Sequence, residues 1–154
     1  MKTLPNGTRK QFQVSNWFEW CSLCDSLQMN ESEIEVLTGD NLSEEQTTRD
    51  ILNRCNVKSI VVTKGKQGAS LYETEKKSKN GNVFNIRKTN GSSIENNNFA
   101  DSTGCGDVFA SAFFFRNIIN NFNFKDSLVF ANKMAGLNVK LNGVEELGKL
   151  NEGA

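Results

Sequence analysis

The chain has 154 residues, with 18 Lys plus Arg and 18 Asp plus Glu, so its formal net charge is zero. This length is enough for one domain with a hydrophobic core, and the balanced charge gives no electrostatic footprint for nucleic acid or an anionic membrane. The absence of histidine excludes histidine triads, histidine general bases and most catalytic zinc sites. Because no signal peptide or apolar run of membrane length is present, we expect a cytoplasmic protein.

The four cysteines lie at positions 21, 24, 55 and 105. Cys21-Ser22-Leu23-Cys24 has the spacing of a redox or zinc half-site, but the chain holds no second pair of this spacing. The surrounding apolar residues predict an amphipathic helix: Trp17, Phe18, Trp20 and Leu23. We therefore interpret the pair as small, half-buried, reduced thiols.

The first sixty residues predict a lead-in, a strand and three helices. In order these are a polar lead-in (1–15), a helix (16–24), a short strand (26–29), a helix from Asn30 to Gly39 and a helix over about 44–55. Gly39 is a helix-terminating residue. Ser43 and Gln46 have the spacing of a capping box, which predicts where the last of these helices begins.

The middle of the chain predicts strands joined by turns. The segments are a strand (58–63), a tight turn (64–68), a second strand (69–73), a loop (74–81), a third strand (82–87) and a loop (88–98). Consecutive apolar residues at 60–62 are typical of an inner strand covered on both faces.

A glycine-rich stretch, Asp101-Ser102-Thr103-Gly104-Cys105-Gly106-Asp107, precedes an apolar run at helical spacing. One predicted buried face comprises Val108, Ala112, Phe115, Ile119 and Phe122, widened by Phe109 and Phe113. Glycines allow a tight turn, and the first N–H groups of the helix lack intrahelical partners, so this turn predicts an anion site. Asp107 would accept the proton of a hydroxyl that attacks a bound phosphate. The alternative is ordinary helix punctuation by glycine and aspartate.

The last part of the chain predicts one long helix. Asn123 is its predicted cap and Gly143 its predicted end. Its apolar stripe comprises Phe130, Met134, Leu137 and Leu141, and residues 144–150 predict a further short helix. The whole pattern indicates a mixed α/β domain with a partly parallel sheet.

The order of these parts resembles the C-terminal half of the ribokinase-like, or PfkB-type, carbohydrate kinase family. The parts are Asn30-Glu31-Ser32-Glu33, the strand and turn through Thr63-Lys64-Gly65 and Gly68, the 101–107 stretch, and the helix with Asn132. The resemblance covers residues 25–150. It implies a partial ribokinase-like three-layer fold, in which the C-terminal part of a mostly parallel sheet is flanked by helices. Residues 1–154 would form one partial domain with 1–24 as its lead-in, and family members carry an N-terminal half before this region.

The resemblance also implies the catalytic residues. Asp107 matches the family's catalytic base, and the backbone N–H groups of Gly104, Cys105 and Gly106 match its anion hole. Cysteine at position 105 departs from the family's usual alanine but keeps the backbone N–H.

Further residues match positions that bind cofactors. Asn30 and Glu33 match a pair that helps to hold Mg²⁺ near the ATP phosphates, although the same residues have the pattern of a helix cap. The nucleotide would lie beside Thr63, Gly65 and Gly68, with Asn132 lining the adenine pocket. In members activated by a monovalent cation such as K⁺, the matching residues are Asp101, Thr103 and the loop near Gly143. Val144-Glu145-Glu146 departs from the family pattern there.

These matches predict ATP-dependent phosphoryl transfer to a hydroxyl of a sugar or nucleoside, with no nucleic-acid or membrane partner. Two alternatives keep the same motifs. One is a non-catalytic nucleotide-binding module, which needs a partner chain with the N-terminal half or forms a homo-oligomer. The other is an inactive truncated fragment.

Overall fold

The computed structural model describes residues 2–3, 5, 7, 9–10, 12–38, 42–77, 83–92, 102–141 and 144–152. The chain divides into two compact units. The first unit comprises Met1–Val62 and Tyr72–Lys88, and the second comprises Thr63–Leu71 and Thr89–Ala154. The extent of the predicted single domain stays a prediction.

The chain up to Gly91 contains, in order, β1 (Lys2–Thr3), β2 (Arg9–Lys10), α1 (Trp17–Ser22), β3 (Ser26–Asn30), α2 (Glu31–Thr38), α3 (Glu44–Arg54), β4 (Ser59–Thr63), β5 (Ala69–Lys77) and β6 (Val83–Gly91). Strands β4, β5 and β6 have residues in both units. The second unit adds a 3₁₀ turn (Gly65–Gln67), α4 (Cys105–Phe114), a π-helical turn (Phe115–Ile119), α5 (Phe124–Asn138) and a 3₁₀ segment (Val144–Glu152). Among these described helices, none has the length and apolar character needed to span a bilayer.

The core of the first unit joins its helices to its strands. It consists of Trp17, Ile34, Ile51, Leu52, Cys55, Val57, Ile60, Val62 and Tyr72. The start of α3 confirms the predicted capping box, because Ser43 Oγ accepts from the Gln46 backbone N–H at 3.2 Å and Gln46 Oε1 accepts from the Ser43 N–H at 2.9 Å. This start directs Ile51 and Leu52 into the core.

Four strands form a mixed sheet in the order β3-β4-β5-β6, and β1 pairs with β2 in a separate antiparallel ladder. The Lys58 N–H donates to the Asp25 carbonyl at 2.8 Å, and both residues directly precede their strands, so β3 and β4 run parallel. The Lys64 N–H donates to the Gly68 carbonyl at 2.8 Å, which closes a tight turn between antiparallel strands β4 and β5. Residues Ser59–Val62 are buried, as predicted for an inner strand.

Strands β5 and β6 extend into segments that the sequence predicted as loops. β5 continues through Lys77, and β6 continues through Gly91. The polar residues at the end of β6 are held by β5, since Ser70 Oγ donates to Asn90 Oδ1 at 2.9 Å. Cross-strand bonding of this kind keeps a polar segment in a sheet and leaves no periodic apolar signal in the sequence.

In the second unit, α4 buries Phe109, Ala112 and Phe113 as predicted. The Phe113 ring stacks on Phe109 and on Phe124 from α5, with 6.2 Å between ring centroids in each pair. The second half of the predicted buried face was wrong, because Phe115, Ile119 and Phe122 are exposed. A π-helical turn begins at Phe115. Its wider turn shifts the later side chains away from the α-helical stripe.

The exposed apolar residues of this turn, together with Phe114 at the end of α4, form what we call the π-turn face: Phe114, Phe115, Ile118 and Ile119. Beside it, the Arg116 guanidinium lies 4.1 Å from the Phe122 ring centroid and 4.7 Å from that of Phe130. These distances are those of cation–π contacts.

Helix α5 begins as predicted, with Asn123 Oδ1 accepting from the Asp126 N–H at 2.9 Å. Its buried face differs from the predicted stripe, because Leu128, Ala131 and Asn132 are buried. The predicted residues Phe130, Met134, Leu137 and Leu141 are half-buried. The reason is the neighbouring strand: Leu128 and Asn132 pack closely against Gly91 at the end of β6. Helix α5 ends at Asn138.

Candidate active site

The start of α4 is shaped by Gly104. This residue has φ 76° and ψ −3°, in the left-handed region, where a side chain would strain the backbone. Its carbonyl accepts the Val108 N–H at 2.9 Å, and the Cys105 N–H donates to the Ser102 carbonyl at 3.1 Å. The glycine therefore lets the chain reverse directly into the first helical turn.

The N-cap residue of α4 is Gly104, which has no side chain to cap the helix. The first N–H groups of a helix need acceptors, and an anion can supply them. Of the three amides predicted to form the anion hole, the Cys105 N–H is already engaged by Ser102 within the turn. The assignment of an anion hole to Gly104, Cys105 and Gly106 stays a prediction.

Asp107 lies in the first turn of α4 and is exposed. Within the part of the chain that the structure describes, its carboxylate makes no hydrogen bond or ion pair. The first turn of a helix is where the helix dipole favours negative charge.

Asn138 is a residue that the sequence reasoning missed. It is buried at the end of α5, and its Nδ2 donates to the Thr103 carbonyl at 3.1 Å and to Cys105 Sγ at 3.2 Å. The Cys105 thiol in turn lies 3.8 Å from the Ala135 carbonyl, which accepts its hydrogen. The only sequence signal was an asparagine beside the predicted apolar stripe of this helix, and nothing local related it to the glycine turn.

The turn after β4 uses both of the glycines assigned to the nucleotide loop. Gly65 has φ 51° and Gly68 has φ 85°. The Gly68 N–H donates to the Gly65 carbonyl at 3.0 Å, which keeps the loop tight. Thr63 ends β4 and is half-buried. A loop with two residues at positive φ lets backbone approach a ligand closely.

Asn132 is 7% exposed, and its Nδ2 has no hydrogen-bond partner among the described residues. A Cβ at Gly91 would collide with this amide nitrogen, so the glycine gives the Asn132 side chain its space. A buried donor without an acceptor costs free energy.

Asn30 and Glu33 lie in the first unit, whereas Thr63, Gly65, Gly68, Thr103–Asp107 and Asn132 lie in the second. The pair forms a reciprocal cap on α2. Asn30 Oδ1 accepts from the Glu33 N–H at 2.9 Å, and Glu33 Oε2 accepts from the Asn30 N–H at 2.9 Å. Both side chains are exposed, and oxygen ligands of this type suit Mg²⁺. The predicted residues Asp101 and Gly143 lie outside the described residues.

The thiols of the first unit have a structural character. Cys55 is buried, Cys21 is half-buried, and Cys24 is exposed, which differs from the half-buried state expected for both members of the pair. Desolvation by burial, together with the neighbouring thiols of Cys55 and Cys24, raises the pKa of Cys21 from 9.0 to about 11. The Cys21 thiol is therefore protonated at neutral pH and a poor nucleophile.

The sequence is similar to known proteins. Residues 10–148 match the pfkB family carbohydrate kinase model. Ribokinase of Staphylococcus aureus (strain COL) is 30% identical over 130 residues, which cover 82% of this chain and 39% of the relative. The chain thus spans well under half the length of that curated relative.

Two solved structures show the same fold. The structure of Arabidopsis thaliana ribokinase complexed with ribose and ATP superposes with a TM-score of 0.65 at 26% identity, over 86% of this chain and 42% of that one. A pyrophosphate-dependent kinase in the ribokinase family, complexed with a pyrophosphate analog and myo-inositol, superposes with a TM-score of 0.69 at 18% identity. That match covers 96% of this chain and 48% of the other. The α/β fold is therefore ribokinase-like, and the chain belongs to the pfkB family of carbohydrate kinases.

Proposed function

We propose that this chain is the nucleotide-binding and catalytic half of a kinase that transfers a phosphoryl group from ATP to a hydroxyl of a sugar or nucleoside. The observation that carries the proposal is the start of α4. There, a left-handed glycine occupies the N-cap of the helix, and an exposed aspartate without a partner among the described residues stands in the first turn.

The proposed chemistry follows from these groups. Phosphoryl transfer requires little covalent help from a protein, and it depends on positioning and on stabilising the charge that develops. The Gly104 and Gly106 amides would supply donors to the transferred group, each worth about 3 kcal/mol of barrier. Asp107 would accept the proton of the attacking hydroxyl, a contribution of roughly 10²–10⁴-fold in rate.

Further residues are assigned to the cofactors by their match to the family. Asn30 and Glu33 would hold Mg²⁺ and its waters, which neutralise phosphate charge when the metal is bound. Thr63, Gly65 and Gly68 would lie beside the nucleotide. Asn132 would line the adenine pocket, as its match to the family's adenine position implies. Asp101, Thr103 and the loop at Gly143 are the proposed site for K⁺.

The fold alone also permits pyrophosphate as the phosphoryl donor, since a neighbour of this fold is a pyrophosphate-dependent kinase. The match of Thr63, Gly65, Gly68 and Asn132 to the family's nucleotide-binding positions supports a nucleotide donor. We therefore favour ATP. Sequence equivalent to the unmatched part of the longer relatives would supply the contacts to the small-molecule substrate, and a complementary partner chain could carry it. We propose a cytoplasmic location for the protein.

The test is a thermal melt of the chain with and without Mg²⁺, first with ATP and then with pyrophosphate. A ligand at a hundredfold excess over its dissociation constant adds about 2.7 kcal/mol of stability to the folded state. We expect a cooperative transition that ATP raises by several degrees. A larger shift with pyrophosphate would reassign the donor. A cooperative melt that neither ligand moves would contradict nucleotide binding, and the absence of a cooperative transition would indicate an inactive fragment.

Catalysis is tested separately from binding. Phosphate transfer to sugars and nucleosides is assayed with the chain alone and with a ribokinase N-terminal half added. ATP binding without transfer in either assay would favour the non-catalytic module over the enzyme.

A further inference from the structure

We propose that Asn138 is a positioning residue, which holds the glycine turn at the start of α4 in the geometry that receives a phosphate. This inference rests on the proposed function, because it concerns the same anion hole. It assigns a role to a residue of α5 that itself does not touch the phosphate.

The contacts of Asn138 use both hydrogens of its amide. One points to the Thr103 carbonyl at 3.1 Å and the other to Cys105 Sγ at 3.2 Å. An amide Nδ2 is the only part of this side chain that can donate. Because a carbonyl oxygen can only accept, the Thr103 contact fixes the orientation of the amide.

The two contacted residues flank Gly104, whose left-handed backbone begins the helix. Thr103 precedes the glycine and Cys105 follows it, so the amide bridges the two sides of the chain reversal. A further bond within the turn runs from the Cys105 N–H to the Ser102 carbonyl at 3.1 Å. The Thr103 carbonyl and the Gly104 N–H belong to one planar peptide unit, so holding the carbonyl fixes the direction of that N–H.

The last turn of α5 provides a second attachment. The Cys105 thiol donates to the Ala135 carbonyl at 3.8 Å, and Ala135 and Asn138 are one helical turn apart. The sulfur therefore donates to one residue of this turn and accepts from the other. Asn138 is 4% exposed, so water cannot replace its contacts without opening the structure.

The turn is thus anchored to α5 by part-buried hydrogen bonds. Donors aimed at a phosphoryl group must be held in place before the ligand arrives. An anchored turn meets this requirement, whereas a loose one would have to be ordered when the ligand binds. Losing the Asn138 amide should therefore weaken phosphate binding beyond any loss of stability.

The experiment compares Asn138→Ala and Asn138→Asp with Ser127→Ala. Ionised aspartate keeps the shape of asparagine but cannot donate a hydrogen bond. The alanine variant removes the amide without burying a charge, so it serves if the buried aspartate prevents folding. Ser127 is the matched control, because it is buried in the same helix and bonds only within it, to the Asn123 carbonyl at 2.8 Å.

The first measurement is the rate at which iodoacetamide labels Cys105, followed by peptide mass spectrometry, with exposed Cys24 as the internal reference. We expect several-fold faster labelling of Cys105 in the Asn138 variants and the wild-type rate in Ser127→Ala. Unchanged labelling would show that Asn138 does not anchor the turn, whatever the chain binds.

The second measurement is the dissociation constant of Mg·ATP by titration calorimetry below the melting temperature. The constant should rise roughly tenfold in the Asn138 variants and stay unchanged in Ser127→Ala. Faster labelling with unchanged affinity would reduce Asn138 to a structural role and overturn the positioning assignment. A wild-type chain that binds no ATP would instead refute the proposed function, and the labelling result would still decide whether the anchor exists.

Discussion

The starts of α2 and α4 solve the same problem in opposite ways. At α2, Asn30 and Glu33 satisfy each other's backbone N–H groups with their own side chains. At α4, the N-cap residue is Gly104, which has no side chain to offer. The comparison teaches that a helix start can carry its own side-chain cap, which we call a closed start, or have a glycine in the capping position, which we call an open start.

The largest effect should come from the carboxylate beside the open helix start. Asp107→Asn should lower phosphoryl transfer by roughly 10²–10⁴-fold, because the amide cannot take the proton of the attacking hydroxyl. The rise in melting temperature with Mg·ATP should persist. Transfer rates are measured with the chain alone or with the added ribokinase N-terminal half, whichever of the two transfers phosphate.

Asp126→Asn is the control for this variant. Asp126 also lies in the first turn of a helix, but its helix is capped by Asn123, and the Asn123 side chain donates to its carboxylate at 2.8 Å. We expect an unchanged transfer rate in this variant. Retained turnover in Asp107→Asn would remove the base assignment.

The next effect separates the two glycines of the open start. Gly104→Ala should destabilise the chain by about 1–2 kcal/mol, since alanine at φ 76° is strained although the space around it is open. Gly106→Ala should be neutral or stabilising by up to about 1 kcal/mol, because this residue is helical and also faces open space. Urea unfolding measures both. Equal losses in the two variants would mean that the turn does not depend on left-handed backbone.

A smaller effect tests whether the closed helix start also serves a metal. Glu33→Ala should cost about 1 kcal/mol of stability through loss of the cap. Glu33→Gln keeps a capping-box residue and removes only the charge. We expect Glu33→Gln to unfold like the wild type in urea but to need a higher Mg²⁺ concentration for ATP binding. An unchanged Mg²⁺ requirement would leave Asn30 and Glu33 as a cap alone.

The smallest effect concerns the titration of the Cys21 thiol, which lies in the same unit as the closed start of α2. The pKa of Cys21 is 9.0 in the unfolded chain and about 11 in the folded one, so the folded state retains its proton over a wider range. The stability from this group is complete below pH 9 and is lost as the pH rises towards 11. Two pKa units correspond to about 2.7 kcal/mol, which solvent screening of a half-exposed thiol reduces to on the order of 1 kcal/mol.

Cys21→Ser should therefore flatten the decline in stability between pH 9 and 11, as followed by urea unfolding at each pH. Cys24→Ser is the control, since Cys24 is exposed. A decline that is equally steep in Cys21→Ser and the wild type would assign the alkaline loss to other groups.

The sequence predicted what depends on neighbours within a few residues. The starts of α3 and α5 follow from Ser43 with Gln46 and from Asn123, because a cap joins a side chain to backbone three residues away. The order of the elements carried the fold class in the same way, and the family match agrees with it. The roles of the individual site residues stay predictions.

What the sequence did not predict depends on contacts between distant segments. The π-helical turn after α4 rotated Phe115 and Ile119 out of the expected buried face, and no local residue pattern announces such a turn. Asn138 lies 35 residues from the carbonyl it contacts. The last residues of β6 are polar, so their sequence predicted a loop. A hydrogen bond to β5 holds them in the sheet, and the local sequence does not reveal it.

The π-turn face has a consequence for how the chain behaves in concentrated salt. Phe114, Phe115, Ile118 and Ile119 present aromatic and aliphatic carbon to water on a molecule whose formal net charge is zero. Sulfate strengthens contacts between apolar surfaces, and low concentrations of urea weaken them. Self-association of this chain should therefore increase with added sulfate and reverse with mild urea, the opposite of what ion pairing between molecules would produce.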